Sequence, residues 1–166
     1  AGFTFENEAA RQQTSSFSGV FNIGGINGNF SSVARNFLSA NNMLLGLSAN
    51  SYCVANTPGQ FPESIVIGQA QSVVTYDCYK DSTKVLPIGT AKVSFLVGTG
   101  DSPSTATFST IEIFVDPTGL QTQFTQKNFL VDTSGNISFQ SLSFLGLLTP
   151  NNDSTSNGIQ FSFKSQ

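Results

Sequence analysis

The chain has 166 residues, a net charge of −3 and a pI near 4.6. Only 10% of its residues are charged and it has no His or Trp, while Ser, Thr, Asn and Gln together supply 64 of the 166 residues. These figures exclude a nucleic-acid binder, which needs a basic surface to neutralise phosphates. They also exclude a membrane-spanning helix, which needs about 20 consecutive apolar residues, and a helix-rich fold, which needs more Ala, Leu, Glu, Lys and Arg.

Residues 1–14 form an N-terminal extension, and residues 15–166 are expected to be one β-sandwich domain. Gly2-Phe3-Thr4-Phe5-Glu6 alternates like a strand. It can insert into a neighbouring molecule, lie along the edge of its own domain, or be held by packing between molecules. The segment near residues 32–38 contains a Ser that could cap a helix, and Val33 and Phe37 lie four residues apart, so a short helix is expected there. A strand is nearly as compatible. Elsewhere apolar residues mostly alternate with polar ones at the period of a half-buried strand, most clearly in Ile159–Phe163 and in Phe17–Ile23. Val73–Cys78, Val93–Val97, Phe108–Val115, Phe124–Val131 and Ile137–Leu148 supply further strands. Some, such as Ile111–Val115, are apolar on both sides and are expected to lie centrally or beneath a neighbouring subunit. Ile65-Val66-Ile67 is expected to add another strand. Asp116-Pro117-Thr118-Gly119 has the residues of a type I turn. Asp132-Thr133-Ser134-Gly135-Asn136 has those of a hairpin loop with Gly in the left-handed position. About 7–9 strands with short connections predict an all-β, antiparallel, immunoglobulin-like sandwich.

Two cysteines, Cys53 and Cys78, in a chain this poor in charge point to one disulfide formed in an oxidising compartment. The alternative is two buried free thiols. Asn29, Asn136 and Asn152 each begin an Asn-X-Ser sequon and are candidate glycosylation sites if the chain is exported. A first residue of Ala rather than Met fits an exported chain whose leader has been removed.

Without His there is no Ser-His-Asp or Cys-His arrangement and no imidazole metal site. The close carboxylate pairs are Glu6/Glu8, Asp77/Asp81 and Glu112/Asp116, and no Trp is present to stack a sugar ring. Asp116 and Asp132 are better explained as turn residues bonding their own backbone. Asp101, Asp132 and Asn136 offer oxygen ligands in loops, but no calcium-loop pattern surrounds them. The chain is therefore expected not to be an enzyme and to hold no metal or cofactor.

In general build the chain resembles the strand-donating, pilin-like subunits of extracellular filaments, namely archaeal surface threads and bacterial fimbriae. The resemblance rests on the alternating start Gly2-Phe3-Thr4-Phe5, the uncharged β-rich body, the Cys53/Cys78 pair and the hydroxyl- and amide-rich surface. It implies a structural subunit at the cell surface that polymerises with identical subunits by head-to-tail donor-strand complementation. Phe3 and Phe5 would anchor the donor strand, Phe161 and Phe163 would line the acceptor groove, and N-glycans would decorate the subunit. A secreted lectin-like or adhesin module, with its site in loops 98–104 and 150–158, is the alternative. A viral capsid or spike β-domain is the second alternative.

Overall fold

The computed structural model describes residues 3–23, 26–148 and 157–164. The protein is all-β, and among the described residues there is no helix and hence none long and apolar enough to cross a membrane. Two very short strands come first, β1 (Thr4–Phe5) and β2 (Glu8–Ala9). The next four are β3 (Arg11–Ile23), β4 (Ile26–Leu38), β5 (Leu44–Ser48) and β6 (Tyr52–Gly59). They are followed by β7 (Ala70–Tyr79), β8 (Pro87–Thr99) and β9 (Thr105–Val115). The chain ends with β10 (Gln121–Asp132), β11 (Ile137–Leu148) and β12 (Asn157–Lys164).

β1 and β2 pair only with each other, and β3 to β12 form one 10-stranded antiparallel sheet in which every strand lies beside its neighbours in sequence. This is an up-and-down meander. The Greek-key crossover that immunoglobulin-like connectivity requires is absent among the described strands. β3 begins at Arg11, so residues 11–14 belong to the sheet. The short helix expected near 32–38 is instead the second half of β4, because Arg35–Leu38 pair on one side with Arg11–Thr14 and on the other with β5. A strand with partners on both sides forms more long-range hydrogen bonds than one or two isolated helical turns, so tertiary pairing overrides a weak cap. Ile65–Ile67 are likewise not a strand but part of the loop between β6 and β7.

That loop covers one face of the sheet. Leu38, Cys53, Val74, Tyr76, Cys78 and Ala91 form a buried cluster, and Phe61 from the loop packs against it. Phe61 also meets Phe95 and Phe108, with ring centroids 6.4 and 5.9 Å away, and leaves Phe95 only 2% exposed. The backbone fixes the loop's exit, where Gly68 N–H donates to the Val97 carbonyl and Val97 N–H donates to the Gln69 carbonyl, both at 2.8 Å. The opposite face carries Phe37 and Leu45. Alternation along β4 separates Phe37 from Leu38. In β5 a register shift between Leu44 and Gly46 leaves Leu45 out of the pairing on both sides, so Leu45 joins Phe37 while Leu44 joins the covered face.

The β9–β10 and β10–β11 turns are built alike. In each an Asp side chain accepts backbone N–H groups two and four residues on: Asp116 from Thr118 and Leu120, Asp132 from Ser134 and Asn136. Each closes with a glycine in the left-handed region, Gly119 at φ 89° and Gly135 at φ 80°. The side chains of Thr118 and Asn136, together with these backbone donors, hold the two carboxyls below the usual range. Both turns match the sequence expectation. The β7–β8 turn follows the same plan, with Asp81 accepting from Thr83 and Lys84 N–H donating to the Asp81 carbonyl, but its left-handed residue is Lys84 at φ 57°.

Cys53 and Cys78 sit directly opposite each other on β6 and β7 and form a disulfide that joins residues 25 apart. Both are 1% exposed, at the centre of the covered face. Reduction under mild denaturant is expected to lower stability by about 2–4 kcal/mol, read as a shift in the urea midpoint, and the Cys53→Ala/Cys78→Ala double variant should show a loss of the same order that no longer responds to reductant.

Candidate functional site

The best-defined side-chain constellation is where the first described residues meet the sheet. Thr4 pairs with Ala9 and Phe5 with Glu8, so residues 3–9 form a miniature hairpin. Ala10 N–H donates to the Phe3 carbonyl at 3.0 Å and ties its base. The two turn residues, Glu6 and Asn7, have φ of 49° and 67°. Two successive positive φ values match the strand twist of a tight hairpin, but Glu is a poor residue for that region.

The hairpin is held by side chains, since among the described residues it shares no strand pairing with the large sheet. Phe5 is 4% exposed and stacks on Phe37 with centroids 4.2 Å apart and planes 16° apart. Tyr52 flanks it at 5.4 Å. Gly46 forms the floor, where a Cβ would fall 2.2 Å from Cζ of Phe5 and 2.6 Å from the Cys53 carbonyl oxygen. The register aligns Phe37, Gly46 and Val54 across β4, β5 and β6. Glycine thus opens a ring-sized recess between larger side chains, and Phe5 fills it. Phe3 stacks on the edge of the same site, 5.7 Å from Phe37, but remains 45% exposed.

Polar contacts close the top of the recess. The Glu6 carboxylate accepts a hydrogen bond from the Tyr52 hydroxyl at 2.6 Å and forms an ion pair with Lys84 of the β7–β8 turn. Lys84 and Tyr52, in that order, hold the Glu6 carboxyl below the usual carboxylate value near 4.5. Burial, then Glu6 beside it, push the Tyr52 hydroxyl upward, so it stays a neutral donor.

Phe3 and Phe5 therefore meet Phe37, Gly46, Tyr52, Lys84 and Glu6 at one site. The sequence reading singled out the two phenylalanines but missed the socket. The available signal was Asp81-Ser82-Thr83-Lys84, which repeats Asp116-Pro117-Thr118-Gly119 and Asp132-Thr133-Ser134-Gly135 with Lys in place of Gly. Phe161 and Phe163 are not part of this site. They lie in β12, opposite Phe144 and Leu142 of β11, at the far end of the strand order. Asn29 lies exposed in β4, and Asn136 lies exposed in a turn with its amide donating to Asp132 at 2.8 Å. Asn152 lies outside the described residues.

The other chemically interesting groups are dispersed. Glu112 has its pKa raised by burial against the pull of Lys127, and Tyr76 is pushed up by burial and by Glu112. Ser109, Asn128 and Ser141 form a hydrogen-bonded row across β9, β10 and β11, with links of 2.6 and 2.9 Å. The loop at residues 100–104 borders a depression of about 350 Å³ that also includes Ile67. No group of three metal-ligating side chains is found among the described residues. Comparison with protein-family models, with curated proteins and with solved structures finds no match to this chain.

Phe5→Ala is expected to cost about 3–5 kcal/mol, measured by denaturant unfolding. The Glu6 contacts have a defined pH sign. A depressed folded-state pKa gives stability that is fully present above the ordinary value near 4.5 and is lost as pH falls through the folded value. The wild-type advantage over Glu6→Gln in thermal unfolding should therefore be largest at pH 6–7, by roughly 1 kcal/mol or less for a half-exposed pair, and should shrink below about pH 4.

Proposed function

We propose that the protein is a structural subunit of an extracellular surface filament that joins identical subunits head to tail by strand complementation. The observation that carries this reading is the sheet's two unpaired edges. β3 lies at one end of the strand order and β12 at the other, and neither has an outer partner among the described residues. β3 runs for 13 residues. Its hairpin with β4 has no charged residue and no proline between Arg11 and Arg35. β12 has Lys164 as its sole charge.

Exposed edges in monomeric proteins are normally blunted by Lys, Pro, bulges or shortness. Here those devices are scarce where they would be needed. β4 pairs with β5 only over Arg35–Leu38, so among the described residues nine of β4 (26–34) have β3 on one side and no strand on the other. The resulting two-stranded arm projects about 30 Å at 3.4 Å per residue. An isolated two-stranded ribbon is marginal in water, and a neighbour's strand would complete it. Two different edges on one chain make a heterologous contact, which propagates as a fibre when it does not close.

In this reading the uncharged β3 edge is the donor and the β12 edge, with Phe161 and Phe163, belongs to the acceptor side. Phe3 and Phe5, the donor anchors expected from the sequence, stack on Phe37 of their own chain and take no part in the edge pairing. A sandwich is completed when a neighbour covers the half-buried faces of β9 and β10. The disulfide, the low charge and the exposed Asn29 and Asn136 suit export to an oxidising exterior, with N-glycans as attachments. Few titratable groups make such a surface insensitive to pH and salt. Depending on no ligand site, the reading is favoured over a lectin-like module by the missing Trp.

Negative-stain electron microscopy of native material should show long, thin filaments that survive detergent. Thr14→Lys/Ser18→Lys, two exposed positions on the β3 edge, should abolish filaments while shifting thermal unfolding by no more than a few degrees. Discrete monomers from the wild type, or filaments undiminished in the variant, contradict the proposal.

A further inference from the structure

The socket at Phe37, Gly46 and Tyr52 has a known occupant, residues 3–9 of the chain itself. That occupant has the marks of an exchangeable part. It is a separate two-stranded unit with no strand pairing to the main sheet among the described residues. It connects to β3 through the single residue Ala10. Its turn holds Glu6 and Asn7 in the left-handed region without glycine, so local backbone strain opposes the docked shape.

The contact that holds it is strained at its other end as well. Lys84 occupies the left-handed position that Gly119 and Gly135 occupy in the two sister turns. A Lys there costs backbone energy that Gly would not. What the Lys supplies is the ion pair to Glu6. Two residues in unfavourable backbone conformations, 78 positions apart, thus bind each other. A turn optimised only for stability would have Gly at residue 84.

We propose that this socket is an exchange site that accepts the residue 3–9 hairpin of a second copy of this chain, with the Glu6–Lys84 pair as the latch that keeps the resting subunit capped on itself. The second copy carries the identical hairpin, so the intermolecular joint re-forms every socket contact seen within one chain, which makes exchange a low-cost route to association. The inference takes its partner from the self-assembly reading above. It differs from edge pairing in mechanism, since Phe5 enters face-on as a plug and adds no strand to the sheet.

The test mixes full-length variants. Phe5→Ala keeps the socket but lacks the plug's ring. Lys84→Gly keeps the plug, lacks the latch, and gives the β7–β8 turn the glycine of its sisters. Size exclusion with light scattering should give a 1:1 heterodimer from the mixture and no pairing of Phe5→Ala with itself. Wild type mixed with Phe5→Ala should reach the same heterodimer about threefold or more slowly. As a guard against a poorly folded Phe5→Ala chain, a fluorescent peptide of residues 1–10 is added to wild type and to Lys84→Gly. It should bind Lys84→Gly about threefold or more faster, and the same peptide carrying Phe5→Ala should bind neither. Absence of both heterodimer and peptide binding overturns the proposal, as does peptide binding that ignores Phe5→Ala. Micrographs of the same samples judge the assembly reading separately: filaments without exchange remove the exchange site and leave edge pairing standing, and exchange without filaments does the reverse.

Discussion

A single antiparallel sheet has two faces and two edges to satisfy, and this chain has no helix among its described residues with which to do so. That constraint organises the molecule. One face is covered by the β6–β7 loop through Phe61, over the Cys53–Cys78 disulfide. The other is covered near β4, β5 and β6 by the N-terminal hairpin through Phe5. Each cover is a short segment anchored by one aromatic ring, so burial is concentrated around β4 to β8. β9 and β10 stay half-buried along most of their length. The edges at β3 and β12 have no outer partner among the described residues, and the functional proposal follows from that opening.

The two covers differ in how they are fixed. The Phe61 loop is stitched to β8 by backbone hydrogen bonds at Val97. The N-terminal hairpin is held by ring stacking, a glycine recess and the Glu6 contacts with Tyr52 and Lys84. Backbone pairing is hard to transfer between molecules without unfolding a strand, whereas a side-chain plug can leave and re-enter as a unit. In the exchange proposed above, the same hairpin would be core in one chain and connector between two.

Strand existence was legible in the sequence because alternation at period two is clear in Ile159–Phe163 and at Val74, Tyr76 and Cys78, and both sets lie in strands. The Asp-x-x-Gly turns were legible because Asp and Gly have backbone-specific roles there. The connectivity was not. Strands of similar composition pair equally well in a meander or a Greek key, and periodicity holds no information on which neighbour is chosen. The segment 32–38 misled because one Ser and an apolar pair four apart fit a helix, while the pairing that decides the outcome comes from Arg11–Thr14 and β5. Phe5 stood out by alternation, but its socket depends on Gly46, whose role appears only when β4 and β6 flank β5.

The central claim is that the open edges at β3 and β12 meet a neighbour in the working protein. The most direct measurement is residue-resolved amide hydrogen exchange on native assembled material and on the same chain dissociated. The account predicts strong added protection on assembly along residues 11–23 and 157–164, with little change in the already paired β7 and β8. Equal exchange of those edges in both states, or protection gained only outside them, would contradict it.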